Sequence, residues 1–301
     1  MRNIVRVGIA VLAAAVSAVV VAVPGGATVP TAETAMAAPA HSRKGPAVVD
    51  YAHRGASGSA PENTIAAARF AVTQGATFVE TDVRRTADGE LVVMHDDKLS
   101  RTTNVEEVFP DRAPYWVHDF TLAEIRQLDA GSWFAPEFTG ERVPTLREFV
   151  DALKRRSGLL LEIKGSLLYP GIEADIVAEL KSIPGYLPWA LATGKLVIQS
   201  FWVPAVRDIH TLLPDVPVGL LFETRPTDDV LVEASRWADQ INPGNAFTDQ
   251  ALVDRVHELG MSINPYVVNN GRDMRRFVNL GVDGIITDYP AVMRDIVRIT
   301  R

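Results

Sequence analysis

The chain has 301 residues, of which 47% are hydrophobic and 22% charged, the balance of a globular protein with apolar surface enough for a core. Its formal net charge of −7 argues against nucleic acid as a partner, and an anionic ligand would need a local basic patch or a cation to hold it. Cysteine is absent, which excludes a lipidated-Cys anchor and a disulfide scaffold; a domain of this size can be held by burial alone.

The N-terminus reads as an export signal. Arg2 and Arg6 form a basic n-region, residues 7–23 are a 17-residue run without charge, and Ala35-Met36-Ala37 supplies small residues at the spacing of a cleavage site. The run is at the short edge of a bilayer span and no basic stop-transfer cluster follows it. Cleavage near Ala37 and a secreted, extracellular protein are therefore expected, with no membrane span left. Residues 25–46 are rich in Ala, Thr, Pro and Gly without periodicity, the composition of a linker. Residues 1–45 are accordingly set apart as signal peptide and disordered linker, and 46–301 as one domain of barrel size.

That domain alternates β-branched runs with amphipathic segments. Strands are predicted at 48–52, 77–83, 91–95, 159–163, 195–201, 218–222, 238–241, 262–268 and 284–287, and helices at 64–73, 145–155, 172–181, 203–213, 227–237, 248–259 and 272–280. Asn63, Thr145 and Thr248 are candidate N-caps, and Gly260 and Gly281 follow the last periodic residues of their helices. Strand-then-helix repetition implies a parallel sheet. Two features depart from a regular eightfold barrel. There is one strand too many, and residues 84–90 are too short for a helical crossover, so that either a helix is missing or Ala87-Asp88-Gly89 makes a hairpin. Residues 98–143 form an insertion with a small helix at 121–128 and an exposed-looking Trp133-Phe134 pair, expected to wall the substrate site.

The chemistry concentrates at strand ends. Ala52-His53-Arg54-Gly55 ends the first strand, where His53 can act on a substrate and Arg54 can hold an anion bidentately. Pro61-Glu62-Asn63-Thr64 taken alone is a helix start; a functional reading puts Glu62 near a cation or substrate hydroxyls. Glu80 and Asp82 are two apart on an otherwise apolar strand and share a face, where unpaired charges are costly and a hard divalent cation such as Ca²⁺ or Mg²⁺ would relieve them. Glu162 and Lys164 repeat the spacing, adding a third oxygen ligand and a second phosphate contact; a metal-free charge network with Arg54 is the alternative. His95, before Asp96, can complete an acid/base pair with His53. His118, His210 and His257 fit surface or packing roles better, and His41 lies in the linker.

Together, His53-Arg54-Gly55, Pro61-Glu62-Asn63-Thr64, Val79-Glu80-Thr81-Asp82-Val83, Asp88-Gly89 leading to Val93-Met94-His95-Asp96, Leu99 through Thr102, Glu162-Ile163-Lys164, Gln199-Ser200-Phe201 and Ile286-Thr287-Asp288-Tyr289-Pro290 resemble the glycerophosphodiester phosphodiesterase family, in register from about residue 49 to 291. The resemblance implies an α/β fold, a (β/α)8 TIM barrel of the phospholipase-C-like type with an insertion after the third strand at about 98–143. It also implies metal-dependent hydrolysis of a small glycerophosphodiester or lysophospholipid to glycerol 3-phosphate and an alcohol. By that similarity His53 and His95 are catalytic, Glu80, Asp82 and Glu162 bind a divalent cation, Ca²⁺ ahead of Mg²⁺, and Arg54 and Lys164 hold the phosphate. Glu62, Phe201 and Tyr266 complete the expected substrate contacts. One departure concerns Tyr266-Val267-Val268-Asn269, assigned to the last barrel strand, where the family commonly shows Trp-Thr-Val-Asn; the aromatic at the substrate mouth is altered. A lysophospholipase D or sphingomyelinase D-like enzyme, a teichoic-acid phosphodiesterase on the same barrel and a non-catalytic cell-envelope binding protein are the competing expectations. A metal-free glycosidase barrel is disfavoured because Arg54 and Lys164 beside the acids suit a phosphate better than a neutral glycan.

Overall fold

The computed structural model describes residues 48–299, so the expected signal peptide and linker lie outside the described residues. The strands are β1 (Val49–Ala52), β2 (Phe78–Arg85), β3 (Leu91–Val93), β4 (Gly158–Ile163), β5 (Leu196–Ser200), β6 (Val218–Phe222), β7 (Gln240–Pro243), β8 (Ser262–Ile263) and β9 (Gly284–Thr287). Eight of them pair in parallel in the order β8-β7-β6-β5-β4-β2-β1-β9. Asp283 N donates to Ile263 O at 3.0 Å and Ile286 N to Pro265 O at 3.1 Å, which draws β9 against β8 and its continuation. The result is a nearly closed (β/α)8 barrel.

The surplus strand and the short connection have one explanation. β3 runs antiparallel on β2, with Val83 opposite Val93 and Arg85 opposite Leu91, so residues 86–90 are a hairpin turn and no crossover helix is missing. Gly89 supplies the positive φ of 91° that this turn requires. The insertion therefore follows a hairpin strand rather than a barrel strand, between the second and third staves.

The helices are α1 (Ile65–Gln74), α2 (Val105–Val108), α3 (Leu122–Ile125), α4 (Leu146–Ala152), α5 (Ile172–Ser182), α6 (Tyr186–Thr193), α7 (Val203–Leu212), α8 (Asp228–Ala234), α9 (Gln250–Glu258), α10 (Gly271–Leu280) and α11 (Pro290–Ile299). Thr145 caps α4 in a capping box with Glu148, as its sequence signature indicates. Two expected caps shift by one residue. Thr64, not Asn63, accepts from Ala67 N at the start of α1, and Asp249, not Thr248, accepts from Leu252 N at the start of α9. Asn63 is free of the capping role because its side chain turns to Asp82 instead. Three helices, α2, α6 and α11, fall outside the expected set. α6 carries Tyr186, Leu187, Trp189, Ala190 and Leu191 on nearly every side, which erases the 3.6-residue period.

Strand alternation decides which side chains face the barrel interior. On β4, Leu159, Leu161 and Ile163 pack outward into the main core beneath the helices, with Phe149, Ile176 and Ile209. Leu160 points inward, clustering with Tyr51, Phe78, Val197 and Ile286. Period two then carries Glu162 to Leu160's face, and Glu80 and Asp82 to that of Phe78. On the opposite half the interior is filled by buried amides: Asn242 donates to Gln199 at 2.7 Å and Asn264 donates to Asn242 at 2.9 Å. The insertion has its own apolar cluster, including Leu99, Val117, Phe120, Ile125 and Leu128. Its Trp133-Phe134 pair packs through Phe138 toward Phe70 of α1, with Phe134 and Phe138 centroids 5.6 Å apart.

Candidate active site

A cavity of about 740 Å³ opens at the C-terminal ends of the strands, where a barrel keeps its chemistry. His53, Arg54, Glu80, His95, Glu162, Lys164, Phe201 and Tyr266 all line it. Asp82 is buried within the acidic cluster beside it. Among the described residues, none of 98–143 lines the cavity, so the insertion is not the substrate wall expected of it.

Ligand oxygens of Glu80, Asp82 and Glu162 lie within 4.8 Å of one another, and all three residues are buried. Glu80 Oε2 accepts the Arg54 backbone N–H at 2.7 Å, while Oε1 is buried without a hydrogen-bond partner. Asp82 accepts from Asn63 Nδ2 at 2.8 Å and lies 3.3 Å from Arg54 Nε and 3.4 Å from Lys164 Nζ. Lys164 Nζ also reaches Glu162 Oε1 at 2.7 Å. Burial would raise the Asp82 carboxyl, but Lys164 and Arg54 outweigh it and hold it well below the usual range. Burial pushes the Glu80 carboxyl up, helped by the charges of Asp82 and Glu162. Burial likewise raises Glu162, against the pull of Lys164. The two cations therefore leave the repulsion among the three acids unresolved. An orphaned oxygen and three convergent carboxylates fit a hard divalent cation.

The histidines are oriented by carboxylates. His53 Nδ1 meets Asp288 Oδ1 at 2.6 Å, and Asp288 is fixed in turn by Ser57 Oγ at 2.9 Å and Asn269 Nδ2 at 2.5 Å. His95 Nδ1 meets Asp96 Oδ1 at 2.6 Å. Both contacts place a proton on Nδ1 and leave Nε2 for acid/base work. Burial draws the His95 imidazolium below its ordinary range, with Asp82 opposing. Arg84 of β2 donates to the His95 carbonyl at 2.5 Å, pinning the loop behind the ring.

Glu62 is placed differently from the substrate contact expected. Its Oε1 accepts from Arg54 Nη1 at 2.9 Å and its Oε2 from Arg101 Nη1 at 2.9 Å, and it lies outside the cavity lining. Arg101, from the insertion, also donates to Asp96 Oδ2 at 2.5 Å. A continuous path of charge thus joins His95, Asp96, Arg101, Glu62 and Arg54.

The backbone of the first strand's exit is as specialised as its side chains. Arg54 and Gly55 both have positive φ, 54° and 83°, a turn that aims the Arg54 N–H at Glu80. A Cβ on Gly55 would sit 2.6 Å from Ala67 atoms of α1. Gly55→Ala is expected to cost about 2–4 kcal/mol, read as a fall in Tm of roughly 5–15 °C in a thermal melt; a shift under a degree would contradict the close packing.

Phe201 and Tyr266 meet edge to face at 5.7 Å on the cavity wall. Residues 266–269 follow β8, the seventh stave, and not the last barrel strand, which is β9. Sequence reasoning assigned no role to Asp288, Asn269 or Arg101. Asp288 and Arg101 stood inside quoted motifs, which was the available signal, but their partners are 235 and 39 residues away.

The model of the Glycerophosphoryl diester phosphodiesterase family matches residues 53–292. A glycerophosphodiester phosphodiesterase of Bacillus subtilis is 37% identical over 255 residues, covering 81% of this chain and 84% of the relative. One from Caldanaerobacter subterraneus is 37% identical over 249 residues, covering 82% and 96%. Among solved structures, an Oleispira antarctica phosphodiesterase in complex with the product sn-glycerol-3-phosphate superposes with a TM-score of 0.74 at 31% identity, covering 83% of this chain and 96% of that one. With its barrel, its acidic triad and its paired histidines in the places the family model spans, the chain belongs to the glycerophosphoryl diester phosphodiesterase family and is a phosphodiesterase.

Proposed function

We propose that this protein hydrolyses glycerophosphodiesters to glycerol 3-phosphate and an alcohol, using His53 and His95 as its acid/base pair. The observation that carries the reading is the acidic triad flanked by two carboxylate-oriented imidazoles on one cavity. Glu80, Asp82 and Glu162 would hold a divalent cation, which supplies Lewis-acid polarisation of a phosphoryl oxygen. Three carboxylates favour Ca²⁺, which takes more protein oxygens than Mg²⁺.

Arg54 donates from Nη1 to Glu62 and holds Nε 3.3 Å from Asp82 as an ion pair without a hydrogen bond, which leaves Nη2 for a nonbridging phosphate oxygen. Lys164 sits on the same wall as a second positive charge. Both stabilise charge spread over the phosphoryl oxygens as the leaving group departs. One imidazole Nε2 takes the proton of the attacking hydroxyl and the other returns one to the departing alkoxide. The net transfer is one water added across the P–O bond.

Export through the N-terminal signal, with cleavage near Ala37, is part of the same proposal and is supported by the basic n-region and the 17-residue uncharged run. No helix of the described residues is long and apolar enough to cross a membrane.

Incubating the purified protein with glycerophosphocholine and measuring glycerol 3-phosphate tests the reading directly. Release with Ca²⁺ or Mg²⁺ and none with EDTA is expected. Absence of release from any glycerophosphodiester with either metal would remove it.

A further inference from the structure

We propose that the end of the cavity formed by Glu223, Phe201 and Tyr266 is a subsite for a cationic head group, a quaternary or primary ammonium carried by the alcohol of the diester. The proposal deepens the glycerophosphodiester reading and rests on it for the placement of the phosphate.

Strand alternation brings Glu223 to the site. Leu221 of β6 lines the cavity, and Glu223, two residues on, continues its face just past the strand end. Its carboxylate has no ion pair or hydrogen bond among the described residues. The nearest cation in its loop, Arg225, is turned away to Asp249 at 2.8 Å and the Phe247 carbonyl at 3.3 Å. An exposed acid facing a cavity without a counter-charge is available to a ligand.

The aromatic pair stands beside it. Tyr266 donates its phenol to the carbonyl of Phe222, the residue before Glu223, at 3.0 Å. The negative field of Glu223 reaches that phenol, whose pKa is raised first by burial and then by Glu223 and Glu162. Phe201 crosses Tyr266 at 87° with centroids 5.7 Å apart, so one ring offers a face where the other offers an edge. Phe201 also lies 5.6 Å from Lys164 Nζ. One cavity is thus lined by the Arg54 and Lys164 cations, two aromatic rings and the Glu223 carboxylate.

A diester with an ammonium on a two-carbon arm has the complementary order of charges: anionic phosphate, short aliphatic spacer, cation. Ring faces and an unpaired carboxylate are the two features that bind ammonium groups, the first through the ring quadrupole and the second through direct attraction. A neutral alcohol such as glycerol would use neither.

Two measurements test this on the full chain and on Glu223→Gln. The first is kcat/KM for glycerophosphocholine relative to glycerophosphoglycerol. Glu223→Gln is expected to lower that ratio by about 3- to 10-fold, through KM rather than kcat. The second is a calorimetric or NMR titration with tetramethylammonium, whose affinity should fall by a similar factor in Glu223→Gln, with Tyr266→Leu weakening it as well. An unchanged ratio, or equal tetramethylammonium binding by wild type and Glu223→Gln, would overturn the subsite. If no glycerophosphodiester is hydrolysed at all, the proposed reaction fails and the titration alone decides: Glu223-dependent binding supports the subsite, and Glu223-independent or absent binding removes it.

Discussion

Replacing His53 by alanine is expected to lower kcat on glycerophosphocholine by about 10²–10⁴-fold, the range that a positioned acid/base group contributes. The ring is held from behind by Asp288 at 2.6 Å, so its Nε2 is presented to the cavity at little entropic cost. KM should move far less, since Arg54 and Lys164 remain to hold the phosphate. Asp288→Asn keeps the shape but replaces the carboxylate that orients the ring; its kcat should fall between those of wild type and His53→Ala. Steady-state kinetics beside a thermal melt checks both variants. Activity of a folded His53→Ala within threefold of wild type would take His53 out of the chemistry.

The second large effect concerns the acidic triad. Chelation is expected to bring diester hydrolysis to background, and Ca²⁺ at 100-fold excess over its Kd is expected to stabilise the fold by about 2.7 kcal/mol, an upward Tm shift of roughly 5–10 °C for a domain of this size. The reason lies in the geometry. Three buried carboxylates crowd within 4.8 Å and one Glu80 oxygen has no partner, so the folded state gains when a cation enters and the unfolded chain does not. Glu80→Ala should abolish both the activity and most of the metal-induced shift. A Tm that ignores Ca²⁺ and Mg²⁺ alike would mean that the triad is a structural charge network, neutralised by Arg54 and Lys164 alone.

Much of this site was legible before the fold, because period two is a strict rule in a strand. Once residues 77–83 and 159–163 are read as strands, Glu80 with Asp82, and Glu162 with Lys164, must share faces, and barrel geometry brings those faces together. The parallel pairing of Asp82 with Glu162 in register is the direct expression of that rule. Loops obey no such period. Asn63 has the sequence context of a cap but adopts a φ of 59° and donates to Asp82, which only the tertiary structure decides. Arg101 and Asp288 act through partners far along the chain, and a motif shows that they matter without showing what they hold. The insertion was misplaced for the same reason: its length suggested a wall, but it packs around its own apolar cluster with Phe138 touching Phe70 of α1, and among the described residues it sends Arg101 to Glu62 and Asp96.

That single reach changes what the insertion is. Arg101 is the shared counter-ion of Asp96 and Glu62, and through them it braces the His95 imidazole and the Arg54 guanidinium. In the language of protein engineering, residues 98–143 are then not a dispensable decoration that can be trimmed to make a minimal barrel. A truncated chain would keep every stave and every carboxylate of the acidic triad, yet Asp96 and Glu62 would lose the Arg101 guanidinium that links them. Loop shortening here is active-site mutagenesis carried out at a distance.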